Sequence, residues 1–126
     1  MNFIDMFRDW KDVEELRAKT VIFTEGDSAD VMYVVLSGEI ELTLHGEPLG
    51  MEGEGGIIGE MAMINGAPRS ATATTLTKVK LARVNREQFR EFVANNADFS
   101  LHVMAVLANR LRAVDQYITT QFRNRG

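Results

Sequence analysis

Between residues 20 and 84 the sequence repeatedly places a short β-type segment beside a turn. Val31–Leu36 is an apolar run of strand length, and Ile40–Leu44 alternates apolar with polar residues, as in a strand with one solvated face. Short strands at such close spacing are typical of an antiparallel sandwich or barrel and not of a parallel α/β sheet. The sequence therefore predicts a mainly β fold.

Further strands are predicted where β-branched or apolar runs are bounded by turn residues. They cover Thr20–Phe23, Gly56–Ile58, Ala71–Leu76 and Val79–Val84. The segment from Gly46 to Gly59 carries six glycines and one proline, and apart from Gly56–Ile58 it is predicted to consist of loops and turns.

The N-terminal residues 4–16 carry apolar side chains at roughly helical spacing, which predicts an amphipathic lead-in. Asp12 and Glu15 have the spacing of a capping box, so a short helix is predicted over Val13–Ala18. The length of 126 residues suits one compact domain, and neither an internal repeat nor a linker is visible. Residues 1–126 are therefore expected to form a single domain.

The C-terminal part predicts helices over about residues 86–121. Asn85 and Gln88 form a capping pattern for a helix over Arg86–Ala94, and a longer helix is expected over Asp98–Gln121. Apolar residues of the longer helix step alternately by three and four, which makes an a/d seam. The seam consists of Met104, Leu107, Leu111, Val114 and Ile118. It predicts a homodimer through the C-terminal helix, unless both apolar faces of this helix pack on the same core.

Composition excludes several classes of function. The net charge of −4 argues against a general nucleic-acid binder, and the longest apolar run is too short to cross a membrane. The N-terminus does not resemble a secretory signal. The chain has no cysteine, which removes disulfides, thiolate metal sites and a cysteine nucleophile, and fits a cytoplasmic location.

No catalytic constellation is visible. His45 lies on the polar side of a strand pattern and His102 lies on the long helix, so each is interpreted as a surface or packing residue. Two histidines without an HxH pair argue against a metal-binding barrel of the cupin type, and no phosphate-binding loop with Lys-Ser or Lys-Thr is present. We expect a protein that is not an enzyme and that needs neither metal nor cofactor.

The segment Gly59–Ala73 (GEMAMINGAPRSATA) carries one carboxylate and one guanidinium in otherwise small and apolar surroundings. Gly59 allows close approach of a ligand, and a single helical turn over Glu60–Ile64 would point backbone amides at an anion. Arg69 supplies a fork of donors suited to a phosphate, whereas ionised Glu60 accepts only and suits a ribose hydroxyl. Together they predict a nucleotide site, with a surface ion pair between Glu60 and Arg69 as the alternative.

This segment resembles the phosphate-binding cassette of the cyclic nucleotide-binding domain family, which includes the catabolite activator protein and the regulatory subunits of cAMP-dependent kinase. The matching residues are Gly59-Glu60-Met61-Ala62 and Pro68-Arg69-Ser70-Ala71. A second family run, VIFTEGDSADVMYVVLSGEIEL, stands upstream with its glycines, aspartates and tyrosine in register. The resemblance extends from about Thr20 to Gln116.

The resemblance implies a double-stranded β-helix, a jelly-roll-like β-roll of eight strands, over about residues 20–84, followed by the C-terminal helices. It also implies roles for the cassette. Glu60 would accept from the ribose 2′-hydroxyl, and Arg69 would pair with the cyclic phosphate. Ser70 and Ala71 would donate backbone amides to the phosphate. The expected binding residues are thus Gly59, Glu60, Met61, Ala62, Arg69, Ser70 and Ala71.

The same resemblance places Val114 and Asp115 of the last helix near the purine base. Val114 would pack on the base and Asp115 would accept from it, with a solvated helix residue as the alternative interpretation of Asp115. Ser70 resembles the cAMP-binding bacterial activators, whereas cGMP-preferring kinases carry threonine at its position. We therefore expect cAMP as the ligand, with cGMP as the alternative.

The expected function is a regulatory sensor that signals through movement of its C-terminal helix to an unidentified protein effector. The effector is not contained in this chain, and Met1 together with the lack of a linker favours a stand-alone protein. The alternative is an interaction or dimerisation module of the same fold that no longer responds to a nucleotide.

Overall fold

The computed structural model describes residues 3–125 and confirms a mainly β protein with C-terminal helices. A 3-10 turn over Phe3–Phe7 precedes the first strand. The strands are β1 (Val13–Leu16), β2 (Val21–Phe23), β3 (Val31–Ser37), β4 (Ile40–Leu44), β5 (Glu47–Glu52), β6 (Ile57–Ile58), β7 (Thr72–Thr75) and β8 (Val79–Asn85). The helices are α1 (Glu60–Asn65), α2 (Arg86–Asn95) and α3 (Ala97–Arg125).

The strands form two antiparallel four-stranded sheets, in the orders β1-β8-β3-β6 and β2-β7-β4-β5. Tyr33 and Val35 of β3 pack with Ile40 and Leu42 of the second sheet, so one core cluster lies between the sheets. The intervening β3 residues pack with side chains of α1, α2 and α3 in a second cluster on the opposite face. Because both faces of β3 are covered, its sequence is continuously apolar instead of alternating.

The predicted helix over Val13–Ala18 is wrong, since Val13–Leu16 forms strand β1. This strand pairs antiparallel with β8, with Val13 opposite Ala82 and Leu16 opposite Val79. The local capping pattern of Asp12 is overridden because pairing at the sheet edge satisfies the backbone of this segment. The strand region therefore begins at Val13 and not at the predicted start near residue 20.

The segment predicted as loops between Gly46 and Gly59 contains strand β5, which pairs with β4. The two strands are joined by His45 and Gly46, whose φ angles of 51° and 80° are both positive. Two consecutive positive φ angles are the mark of a tight hairpin turn. The glycines at 53, 55 and 56 do lie in a turn, which leads from β5 to β6.

The remaining elements confirm the sequence predictions closely. Asn85 and Gln88 form a reciprocal capping box at the start of α2. The backbone N–H of Asn96 bonds to the carbonyl of Phe92, and the Asn96 side chain accepts from Phe99 at the start of α3. In the described residues, no helix has both the length and the apolarity that crossing a bilayer requires.

Candidate functional site

The cassette folds around helix α1, which confirms the predicted helical turn after Gly59. Gly59 is the N-cap with φ 78°, and Gly66 ends the helix with φ 71°. These left-handed conformations favour glycine because it has no Cβ. The chain turns sharply at both ends of α1, so Glu60 and Arg69 face the same cavity although nine positions separate them.

Glu60 is buried, with 1% of its surface exposed. Its Oε1 lies 3.6 Å from Nη1 of Arg110 on α3, while Oε2 has no hydrogen-bond partner among the described residues. Burial raises the pKa of the Glu60 carboxyl above its ordinary value of 4.5, and the charge of Arg110 opposes that rise. Glu60 thus offers one unused acceptor oxygen at the cavity, as a hydroxyl ligand would need.

Arg69 is also buried, with 7% exposed, and its guanidinium lies against an aromatic wall. The guanidinium carbon is 4.2 Å from the ring centre of Phe23 and 5.8 Å from that of Tyr33. Nη1 donates to the Gly59 carbonyl at 3.4 Å, but Nε has no partner among the described residues. Burial lowers the pKa of Arg69 from its ordinary value. A buried cation with spare donors is prepared for an anion.

The glycine-aspartate pair of the upstream run holds the Arg69 backbone. The N–H of Gly26 donates to the Arg69 carbonyl at 2.8 Å, and the N–H of Arg69 donates to the Asp27 carbonyl at 2.8 Å. Gly26 has a φ of 89°, which explains why glycine stands there. The second sequence run therefore acts on the site indirectly, by fixing where Arg69 stands.

The alternative of a surface ion pair between Glu60 and Arg69 is wrong. Both side chains are buried, and Glu60 forms its ion pair with Arg110. Among residues 3–125, no ion pair joins Glu60 to Arg69 within 4 Å. Glu60 is thus paired within the protein, whereas buried Arg69 has no acidic partner within 4 Å among the described residues and carries a desolvation penalty unless an external anion binds.

Glu60 and Arg69 line a cavity of about 470 Å³ between the second sheet, the cassette and α3. This volume lies in the range of small-molecule sites. Eight of the nine candidate binding residues line it: Gly59, Glu60, Met61, Ala62, Arg69, Ser70, Ala71 and Val114. Asp115 is exposed on α3 and is not among the lining residues, so the structure does not bring it to the cavity.

Arg110 is a site residue that the sequence did not lead us to predict. Its Nη2 donates to the Ile57 carbonyl at 2.7 Å and to Glu52 at 3.1 Å, while Nη1 faces Glu60. Arg110 therefore links α3 to β5, β6 and the cassette. The spacing of Arg110 in the sequence could have indicated this role. Arg110 stands two helical turns after Val103, on the buried face of α3, and an arginine on a buried face needs an acidic partner.

Gly59 can be tested by substitution with alanine. A Cβ at Gly59 would overlap Nη1 of Arg69 and would also strain a φ of 78°. Gly46→Ala is the matched control, because its φ is 80° and no atom lies within 4 Å of the position that a Cβ would take there. We expect Gly46→Ala to lower the free energy of unfolding by about 1 kcal/mol from backbone strain alone, and Gly59→Ala to lower it further. Chemical denaturation measures both, and equal losses would show that Arg69 tolerates a side chain at Gly59.

The two histidines of the chain lie away from this cavity. Its lining includes neither histidine, and no cluster of three or more potential ligands could hold a metal ion in residues 3–125. Nδ1 of His45 lies 3.6 Å from Glu25 on the exposed surface, and Nε2 of His102 lies 2.8 Å from the Gly55 carbonyl. Both histidines therefore make contacts away from the cavity.

The model of the cyclic nucleotide-binding domain family matches residues 13–96. The chain is 31% identical, over 97 residues, to the CRP-like cAMP-activated global transcriptional regulator of Mycobacterium tuberculosis, and the match covers 72% of this chain and 43% of the regulator. The catabolite activator protein of Thermus thermophilus is similar with a TM-score of 0.73 and 26% identity, over 94% of this chain and 58% of that protein.

The EAL enzyme Bd1971 is similar in a cAMP-bound and in a cGMP-bound form. The TM-scores are 0.62 and 0.63 at 34% and 35% identity, and the match covers 88% of this chain and 31% of the enzyme. In each of these comparisons the chain spans less than two thirds of the length of its relative.

Proposed function

The chain belongs to the cyclic nucleotide-binding domain family, and on this premise we propose that it is a regulatory sensor whose ligand is a 3′,5′-cyclic purine nucleotide, with cAMP as the expected one. The observation that carries the proposal is the pair of buried, separately held charges at one cavity. Glu60 presents an unused acceptor and Arg69 presents unused donors. A cyclic nucleotide has a hydroxyl beside an anionic phosphate, which complements both groups.

Each anchor has its own part in the proposed complex. The Arg69 fork would bind the phosphate, assisted by the backbone amides of Ser70 and Ala71. Glu60 would accept from the ribose 2′-hydroxyl and would remain held by Arg110. Arg110 also bonds to Glu52 and the Ile57 carbonyl. A ligand bound to Glu60 would therefore affect how α3 packs against the sheet. This contact gives a route from the cavity to the C-terminal helix.

A thermal melt with and without ligand tests the proposal. At 100 times its dissociation constant, a ligand stabilises the native state by about 2.7 kcal/mol. For a domain of this size that should raise the melting temperature by several degrees. We expect the shift with cAMP and a much smaller one with 5′-AMP at the same concentration, because its phosphate is not held in a ring beside the ribose. No shift with either cAMP or cGMP would favour the alternative of a same-fold interaction module.

The role proposed is binding and signal transmission, not catalysis, and the relative from Mycobacterium tuberculosis is itself a regulator. A cytoplasmic location fits this role and is consistent with the lack of cysteine in the sequence. The effector is a protein that responds to the position of α3.

We also propose that two copies associate through α3. The helix keeps large apolar residues exposed at a/d spacing: Met104, Leu111, Ile118 and Phe122. Of these, Leu111 also lines the cavity. Within the predicted seam, Leu107 packs against the core cluster that holds Val103 and Val106, whereas Met104, Leu111, Val114 and Ile118 are exposed, so most of the seam does not pack on that core. The exposed seam is therefore available to a second copy of the same helix.

Light scattering during gel filtration tests the dimer. Ile118→Asp places a charge in the seam but outside the cavity, and Thr119→Asp is its control on a neighbouring exposed position. We expect a dimer for the parent and for Thr119→Asp, and a monomer for Ile118→Asp, because a seam charge would be desolvated without a partner. A parent that is monomeric at high micromolar concentration would refute the dimer without touching the binding proposal.

A further inference from the structure

The polar and the apolar side chains that line the cavity are unevenly distributed. Among the described lining residues, four side chains carry nitrogen or oxygen: Glu60, Arg69, Ser70 and Arg110. The first three stand in the cassette, and the fourth contacts Glu60. Since the proposed sugar and phosphate contacts use Glu60 and Arg69, the hydrogen-bonding side chains all gather at the sugar–phosphate end.

The rest of the cavity is aliphatic. Its walls are Leu42, Leu44 and Leu49 from the β4–β5 hairpin and Leu107, Leu111 and Val114 from α3. The aromatic ring in the described lining, Phe23, is covered by the Arg69 guanidinium at 4.2 Å. With the proposed anchors at the other end, the base of a cyclic nucleotide would extend into this aliphatic part, where the side chains offer contact area but no hydrogen bonds.

Two polar side chains of α3 stand closest to supplying a base contact. Asp115 is exposed and does not line the cavity. Both terminal nitrogens of Arg110 are engaged, Nη2 with Glu52 and the Ile57 carbonyl and Nη1 with Glu60. A base contact by Arg110 would leave the buried Glu60 without its ion-pair partner, which is costly. Neither side chain is therefore placed to read the edge of a base.

From this distribution we infer that the site discriminates weakly between purine bases and binds cAMP and cGMP with similar affinity. The inference rests on the proposed function and widens its ligand from cAMP, the one expected there, to both purine nucleotides. Strong discrimination arises when a buried polar group loses its partner with the wrong ligand. Adenine and guanine share one bicyclic frame, so an aliphatic wall gains nearly the same buried area from either. The EAL enzyme Bd1971, which is similar over 88% of this chain, is solved in a cAMP-bound and in a cGMP-bound form, in line with this inference.

Calorimetric titration of the full chain with cAMP, cGMP and inosine 3′,5′-cyclic monophosphate tests this inference. The three ligands share the phosphate and ribose but differ in the groups at the base edge. We expect dissociation constants within tenfold of one another, and a spread above tenfold overturns the inference. If none of the three binds, the proposed function falls as well. If cAMP alone binds tightly, the proposed function stands and only the weak discrimination is refuted.

Two variants separate apolar burial from base reading. Asp115→Asn is expected to leave the ratio of cAMP to cGMP affinity unchanged, because Asp115 does not reach the cavity. Leu49→Ala removes part of the aliphatic wall and should weaken all three ligands by factors that agree within threefold. A change above threefold in the ratio with Asp115→Asn, or an unequal loss with Leu49→Ala, would show that base-specific contacts exist and would overturn the inference.

Discussion

Arg69→Ala should weaken cAMP binding at least about thirtyfold, which corresponds to about 2 kcal/mol or more. The guanidinium is buried, and its Nε has no partner among the described residues. In the proposed complex the phosphate would complete the hydrogen bonds of this cation in a water-poor site, where a bidentate pair is strong. Calorimetric titration of parent and variant measures the loss directly.

Two further variants make the result specific. Arg112→Ala removes an exposed arginine of α3 that is bonded to Asn109, and it should leave the affinity unchanged. Arg69→Lys keeps the charge without the planar fork, so its affinity should lie between those of the parent and Arg69→Ala. Melting of each ligand-free variant checks that the fold survives. If the folded Arg69→Ala protein binds cAMP as tightly as the parent, Arg69 is not the phosphate anchor.

The fold was most predictable where the local sequence and the tertiary environment agree. The apolar run of β3 and the capping box of α2 are both read directly from the sequence and are both confirmed. Strand β1 was not predictable in this way, because four residues with a local capping pattern become a strand only through pairing with β8. Strand β5 was hidden among glycines, although His45-Gly46 marks the hairpin turn once positive φ angles are considered.

The cassette was predictable because its residue types are tied to its chemistry: glycine at a positive φ, one acceptor and one fork of donors. Its burial and its partners were not. Arg110 becomes the counter-ion of Glu60 only when α3 packs across the cassette, a contact between positions 50 apart. Asp115 is a residue that the sequence assigned to the site but that the structure does not bring there. Successive side chains of a helix differ in direction by about 100°, so Val114 lines the cavity while Asp115 faces solvent.

Glu60→Gln should weaken cAMP binding about tenfold or more, because the proposed bond from the 2′-hydroxyl to a charged acceptor contributes about 1.5 kcal/mol or more. The ligand 2′-deoxy-cAMP supplies the matched control, since it lacks the hydroxyl that Glu60 would accept. In the parent, removal of the hydroxyl should cost about as much as the substitution does. In Glu60→Gln the same removal should cost little, so that the two changes are strongly non-additive. Additive losses would mean that Glu60 and the 2′-hydroxyl do not touch.

The same carboxyl predicts a pH dependence. Burial raises the Glu60 pKa above 4.5, with Arg110 and Arg69 opposing that rise and Glu52 adding to it. Only the ionised carboxylate accepts from a hydroxyl without donating, so affinity for cAMP should fall as the pH drops from neutral through the raised pKa. Glu60→Gln should be flatter over this range, and a parent and variant with the same slope would contradict the assignment.

The stability of the ligand-free protein should change with pH in the opposite direction to the affinity for cAMP. Between the unfolded carboxyl pKa near 4.5 and the higher folded pKa, the native state binds more protons than the unfolded state. The contribution of Glu60 to the free energy of unfolding therefore decreases as the pH rises through that window. Denaturation curves of the parent relative to Glu60→Gln isolate this contribution. Glu60 thus lowers the stability of the fold when it is ionised, yet it must be ionised to bind the ligand. Such a carboxylate serves ligand binding and not folding.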